Sequence, residues 1–377
     1  MDDDDRRRPL LLNPDNFTPP ARTPWGGRKI VHVLKRGIPL GAAQRAYDVV
    51  GESWELSLDP SFPSMVEESG RALADVVADD PYAFLGREAL RGRRGTALLV
   101  KLIDAAEPLS VQIHPADDHP GLSADESGKP ECWYVVEAEP GAGLFLGLSE
   151  EATPSRVAAA LESGQDVSAL LGFVPVTPGD FFVIEAGTPH AIGAGTLLVE
   201  PQLVLPGRRG VTYRYWDWNR RYDARGRPDP RGEPRALHVA EALAVTRWDA
   251  PRGAALLGRI RVRSGAAQAE APVTLQWLSR TRAVDVRADQ SESADAEPGA
   301  ALPFGIAVAR LCGEGEVALA AQEAMVCLTV LAGEVRVRER HGRTTAVPAG
   351  RTAALPACIG DVVLDARKAH AILAAAG

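Results

Sequence analysis

Short runs of β-branched and aromatic residues recur along the chain, separated by glycine and proline, and this pattern predicts strands more often than helices. Apolar runs of strand length fall at 31–34, 53–58, 97–103, 109–114, 131–137 and 181–185. Later, MVCLTVLAGEVRVRE at 325–339, a His-Gly turn at 341–342 and TTAVPAGRTAALP at 344–356 repeat the sequence of strand, tight turn and strand. Helical spacing is confined to TPSRVAAALE at 153–162, DVSALL at 166–171 and ALHVAEALA at 236–244. In the first of these Thr153 is placed to cap and Pro154 falls in the first turn, where its missing N–H costs nothing. The expected fold is mainly β, with a few helices in the N-terminal half.

At roughly 150 residues per domain, the 377 residues predict two domains. Residues 1–24 run from acidic to basic to proline-rich and read as a flexible arm. Residues 25–245 form the expected larger domain. PRGAA at 251–255 reads as a linker, with the boundary near 246, and 246–377 as a second β domain.

Composition then narrows the partners. A net charge of -8 argues against a nucleic-acid or anionic-membrane surface as partner. No stretch reaches the roughly 18 apolar residues of a spanning helix, and MDDDDRRR lacks the apolar stretch of a signal peptide, so a cytoplasmic location is expected. The cysteines at 132, 312, 327 and 358 form no close pair and read as buried thiols.

Candidate chemistry gathers around three segments. In LSVQIHP, Gln112 and His114 lie two apart and share a strand face. In KPECWYVVE, alternation puts Glu131, Trp133 and Val135 on one face. In PGDFFVIEAGTPHAIGAG, a strand followed by the return AGTP can aim His190 inward. Two imidazoles, a carboxylate and an amide oxygen suit a divalent ion, zinc first, with iron, manganese and cobalt left open. His341, at a turn tip, and His370, near the terminus, read as surface residues.

The segment around His190 resembles the second cupin motif, with Glu185 where that motif has proline. GESWELS at 51–57, PLSVQIHP at 108–115, GKPECWY at 128–134, PHAIGAG at 189–195 and TYRYWDW at 212–218 resemble the type I mannose-6-phosphate isomerases, most closely their short bacterial branch. The likeness covers about 22–245 and continues more weakly into a second, metal-free cupin. It implies two jelly-roll barrels and one zinc ion per chain, held by Gln112, His114, Glu131 and His190. It also implies interconversion of mannose-6-phosphate and fructose-6-phosphate, with the sugar phosphate as partner and the oligomeric state, monomer or homodimer, left open.

That reaction passes through an enediolate, whose charge needs a Lewis acid or fixed cation, and it needs a base. Only five of the 42 basic residues are lysine. Lys129, two residues before Glu131, is by resemblance the acid/base, because a desolvated lysine can be tuned toward neutrality while arginine cannot. Lys101 is a candidate for positioning the sugar phosphate or oxygens. Arg214 matches the family's active-site arginine, the competing reading being packing against Tyr213, Tyr215 or Trp216. Two side chains of longer relatives are absent: a histidine where Gly128 stands and an aspartate where Gly210 stands, which leaves ring opening without an assigned group. A non-catalytic sugar-phosphate-binding bicupin and a metal-dependent cupin dioxygenase are the alternative readings.

Overall fold

The computed structural model describes residues 8–41, 44, 47–92, 95–224, 226–280 and 305–377, and they are mainly β. A five-stranded sheet runs in the order Tyr213–Trp216, Val111–Ile113, His190–Ile192, Gly143–Leu148, Leu171–Pro175. It packs on a six-stranded sheet in the order Arg261–Arg263, Asp180–Ile184, Glu131–Ala138, Thr196–Leu203, Leu98–Ala105, Glu52–Leu56. Between them lies a core of Leu144, Leu146 and Ile192 from the first sheet against Trp133, Val135, Phe182 and Leu198 from the second.

Alternation sends Cys132, Tyr134, Phe181 and Val199 to the other face of the six-stranded sheet. There they meet Ile306, Val308, Cys327 and Ile372 of a third, seven-stranded sheet. Because it is covered on both sides, the strand Leu98–Ala105 is buried at every position, which is why its sequence is a near-continuous apolar run. The seven-stranded sheet is built on three long strands, Ile306–Leu319, Val326–Glu339 and Val362–Ala376. Breaks in their register bend them around a core of Leu311, Leu328, Val335, Val337, Leu364 and Leu373. Gly333 stands at one such break with φ +67°, and a Cβ there would lie 2.2 Å from the Lys368 carbonyl.

Several expectations change. The described part of the arm is built into the fold: Leu10–Leu11 pairs with Thr352–Leu355 at the edge of the seven-stranded sheet, and Leu12 and Phe17 are buried. The run 31–34 is not a strand but part of a π-helical turn, Ile30–Leu34. Burial of Ile30 and Leu34, four apart on one face, overrides the β-branched composition, and Lys35 behind them forms a buried pair with Glu55 at 2.6 Å. The boundary moves beyond 246, since the helix Gly253–Ile260 starts inside the expected linker and Arg261–Arg263 is still an edge strand of the six-stranded sheet. Of 166–171 only a 3-10 turn, Ser168–Leu170, forms before the next strand begins. The helix Pro154–Glu162 forms as expected, with Thr153 Oγ1 accepting from Arg156 N at 3.2 Å. Cys132, Cys312 and Cys327 are buried, while Cys358 is partly exposed. His370 is buried, not at the surface: its Nε2 lies 2.9 Å from Tyr134 Oη, and burial pulls its pKa down to about 4. No described helix is long and apolar enough to cross a membrane.

Candidate metal centre

Both inner sheets contribute to one buried cluster. His190 begins a strand of the five-stranded sheet, directly opposite Gln112 on the next strand, and His114 follows that strand by one residue. Glu131 begins a strand of the six-stranded sheet and projects between them. His114 Nε2 is 3.4 Å and His190 Nε2 3.3 Å from the Glu131 carboxylate. Among the described residues these three form the one cluster of histidine, cysteine and acidic side chains whose donor atoms converge, all within 4.8 Å.

The backbone fixes which imidazole nitrogen faces inward. His114 Nδ1 donates to the Val211 carbonyl at 3.0 Å and His190 Nδ1 to the Thr188 carbonyl at 2.8 Å. A carbonyl only accepts, so each ring holds a proton on Nδ1 and turns its Nε2 toward Glu131, the orientation in which histidine binds metals. Burial, helped by the Lys129 charge, pulls His114 down to about 3, so the ring is neutral at ordinary pH. Its buried Nε2 has no hydrogen-bond partner. An unpartnered imidazole nitrogen therefore faces an acceptor carboxylate, an arrangement that suits a cation between them. Gln112 lines the same pocket, with its Nε2 3.4 Å from Ser110 Oγ, which leaves the amide oxygen as the donor.

The lysines lie beside this cluster. Lys129 Nζ is 3.4 Å from Glu131 Oε2, and Lys101 Nζ is 3.7 Å from Glu52 and 4.0 Å from Glu200 while lying 4.4 Å over the Trp54 ring. Burial pulls Lys129 down, but the charges of Glu131, Glu200 and Glu52 outweigh it and the net shift is upward. The expected tuning toward neutrality is thus reversed by these carboxylates. Burial raises the Glu131 carboxyl, yet the Lys129 charge holds it well below the usual carboxylate range. Glu200 goes the other way: burial and the Glu131 charge push it up to about 8.

Glu52, Lys101, Gln112, Lys129, Glu131, His190 and Glu200 line one pocket. Arg214 is not part of its wall. It sits opposite Gln112 in the sheet and its Nε reaches Ser110 Oγ at 3.2 Å, while NH1 is held by the Ala236 carbonyl at 2.8 Å.

Glu52, Glu200 and Gln202 were not singled out by the sequence. Register puts Glu200 directly across from Lys101, and Gln202 across from Glu131, to which its Nε2 donates at 2.6 Å. The signal was present: in LLVEPQL two polar residues stand two apart within an apolar run, which is one face of a strand turned to a polar interior. The two glycines are also explained locally. A Cβ on Gly128 would lie 2.7 Å from the Pro115 carbonyl, and one on Gly210 would lie 3.2 Å from the Lys129 side chain.

Fold and site define a layered β protein with an interior centre for a divalent metal. Residues 21–136 match the family model described as phosphomannose isomerase type I, catalytic domain. The chain is 35% identical over 225 residues to the probable mannose-6-phosphate isomerase GmuF of Bacillus subtilis, covering 59% of this chain and 64% of that protein. It is 32% identical over 232 residues to the mannose-6-phosphate isomerase of Streptococcus mutans, covering 61% and 66%. The chain spans just under two thirds of the length of these relatives. The crystal structure of a mannose 6-phosphate isomerase from Bacillus subtilis superposes with a TM-score of 0.71 at 24% identity, over 97% of this chain and 99% of that one. The shared fold therefore includes the seven-stranded sheet.

Proposed function

We propose that this protein is a metal-dependent aldose-ketose isomerase that interconverts mannose-6-phosphate and fructose-6-phosphate in the cytoplasm. The observation that carries the reading is the convergence of two imidazole nitrogens and a carboxylate, with a lysine 3.4 Å away, in a chain whose residues 21–136 match the catalytic domain of that enzyme family. In this reading His114, Glu131, His190 and Gln112 hold the ion, and the two-nitrogen, two-oxygen set makes zinc the leading choice; a related structure is described as bound with zinc and yttrium. A divalent ion there supplies a Lewis acid for the negative charge that develops on the substrate oxygens.

Lys129 moves the proton. As an amine it takes the proton from C2 of the aldose and returns it to C1, while a hydroxyl proton passes from O2 to O1, so aldose becomes ketose with no net change in protons. Its resting form is the ammonium, which gives a proton to the ring oxygen of the closed sugar as the C1–O5 bond breaks and the O1 hydroxyl releases its proton to solvent water. This leaves the amine for the next step and needs no side chain at Gly128 or Gly210. Lys101, held between Glu52 and Glu200, orients sugar oxygens, and Arg214 adds positive charge at the Ser110 edge. Metal analysis with an isomerase assay tests the whole reading. About one divalent ion per chain is expected, with activity lost on chelation and regained with zinc. Full activity in metal-free protein would overturn it.

Position 210 lies four residues before Arg214 in the sequence. The structure puts it against Lys129. Gly210→Asp is therefore expected to pair with the ammonium, raise its pKa further and lower turnover by about tenfold for each unit gained. Steady-state rates at equal metal content check this, and a clear gain in turnover would refute it.

A further inference from the structure

The turn that delivers His190 has an unusual attachment. Glu185, where the motif has proline, is largely buried and shared by two guanidinium groups. Arg247 NH1 is 2.7 Å from Oε2, and Arg259 approaches Oε1 through Nε at 3.0 Å and NH2 at 2.8 Å. Both arginines come from the stretch between Tyr213–Trp216 of the five-stranded sheet and Arg261–Arg263, the edge strand of the six-stranded sheet. Arg247 follows the helix Val239–Val245, and Arg259 belongs to the helix Gly253–Ile260, whose Leu256 and Ile260 are anchored in the core between the inner sheets.

The same turn is pinned through its backbone. Arg247 N donates to the Gly187 carbonyl at 3.0 Å, Gly187 N to the His114 carbonyl at 2.9 Å, and Thr188 N to the Glu185 carbonyl at 3.2 Å. The Thr188 carbonyl in turn receives His190 Nδ1. One turn thus touches the main chain of one imidazole residue and the ring of the other. Gly187 has φ +75°, and a Cβ there would lie 2.7 Å from Arg247 Cγ and 2.8 Å from the Val245 carbonyl, so the joining stretch lies flat against the turn.

We propose that Glu185, Arg247 and Arg259 are positioning residues that hold the 185–190 turn in its chelating geometry and so set the affinity of the pocket for its divalent ion. The proposal rests on the metal reading given above. Each ion pair has a half-exposed arginine and adds little to global stability. Their effect lies in pre-organisation, because a turn free to move must be ordered again each time both imidazoles engage the same ion.

The test is zinc affinity, measured by chelator competition on the full chain, for the parent, Glu185→Gln, Arg247→Gln and the double variant. Absorption spectra of the cobalt-loaded proteins report ligand geometry. Glu185→Gln is expected to bind zinc roughly tenfold more weakly, the low end of the range for groups that orient metal ligands. Its cobalt spectrum should shift while the metal-free melting temperature stays within about 2 °C of the parent, the change expected of a surface pair. The double variant should be no worse than the worse single one, since both remove the same tether. Should Glu185→Gln not fold, Arg259→Gln gives the same comparison. Zinc affinity within twofold of a zinc-binding parent overturns the tether alone, whatever the melting temperature does. A parent that takes up no zinc overturns the metal reading and the tether with it.

Discussion

Glu131→Gln is expected to leave the pocket without metal and to lower turnover by about 10³-fold or more, because a Lewis acid supplies several kcal/mol and each 1.36 kcal/mol is tenfold in rate. The substitution keeps shape and removes the one carboxylate among the proposed ligands. Glu131 lies within 3.4 Å of both imidazole Nε2 atoms and of Lys129 Nζ, and it accepts from Gln202 Nε2 at 2.6 Å. A carboxamide cannot accept from Gln202 and serve a cation with equal strength, and it leaves Lys129 without its nearest counter-charge. Metal analysis after chelator washing, with assay at saturating zinc, checks both halves. A variant that retains about one ion per chain and turnover within tenfold of the parent would take Glu131 out of the ligand set.

The second large effect falls on Lys129. Lys129→Arg preserves the positive charge beside Glu131, so the metal should stay. Turnover should fall by about 10²–10⁴-fold, the usual contribution of a positioned acid/base, because guanidinium does not give up its proton at any working pH. Exchange of the substrate's carbon-bound hydrogen with solvent is the direct readout. If exchange proceeds at the parent's rate, the proton is moved by another group, and Lys101 is the next to test.

Much of this was legible because it is local. Gln112 and His114 share a strand, Glu131 opens another, and His190 follows a glycine-rich return, so each segment carries its own pattern and a shared interior was a direct expectation. Register is not local. Glu200 meets Lys101, and Gln202 meets Glu131, only because Thr196–Leu203 lies between Leu98–Ala105 and Glu131–Ala138, and nothing within any one of these strands names its neighbour. The same holds for charge. Burial alone would bring Lys129 toward neutrality, and the reversal comes from three carboxylates on three different strands.

The ends of the domains were misread for the same reason. Leu10–Leu11 is only two residues long, too short for any periodicity. Arg261–Arg263 is an edge strand whose partner, Asp180–Ile184, lies some eighty residues earlier. Composition spoke for a loose arm and a linker, while the pairing of distant segments decided otherwise.

That pairing also orders events during synthesis. Leu10 and Leu11 leave the ribosome more than 340 positions before their partners Ala354 and Ala353 are made. At bacterial-to-eukaryotic translation speeds of about 5–20 residues per second, the wait is roughly 20–70 s. Through that interval the inner sheets can assemble, but the apolar face carrying Cys132, Tyr134 and Phe181 lacks the part of its cover that Cys327 and Ile372 supply. The nascent chain therefore carries a partly open apolar face until the long strand Val362–Ala376 is made, which lengthens its exposure to misassembly.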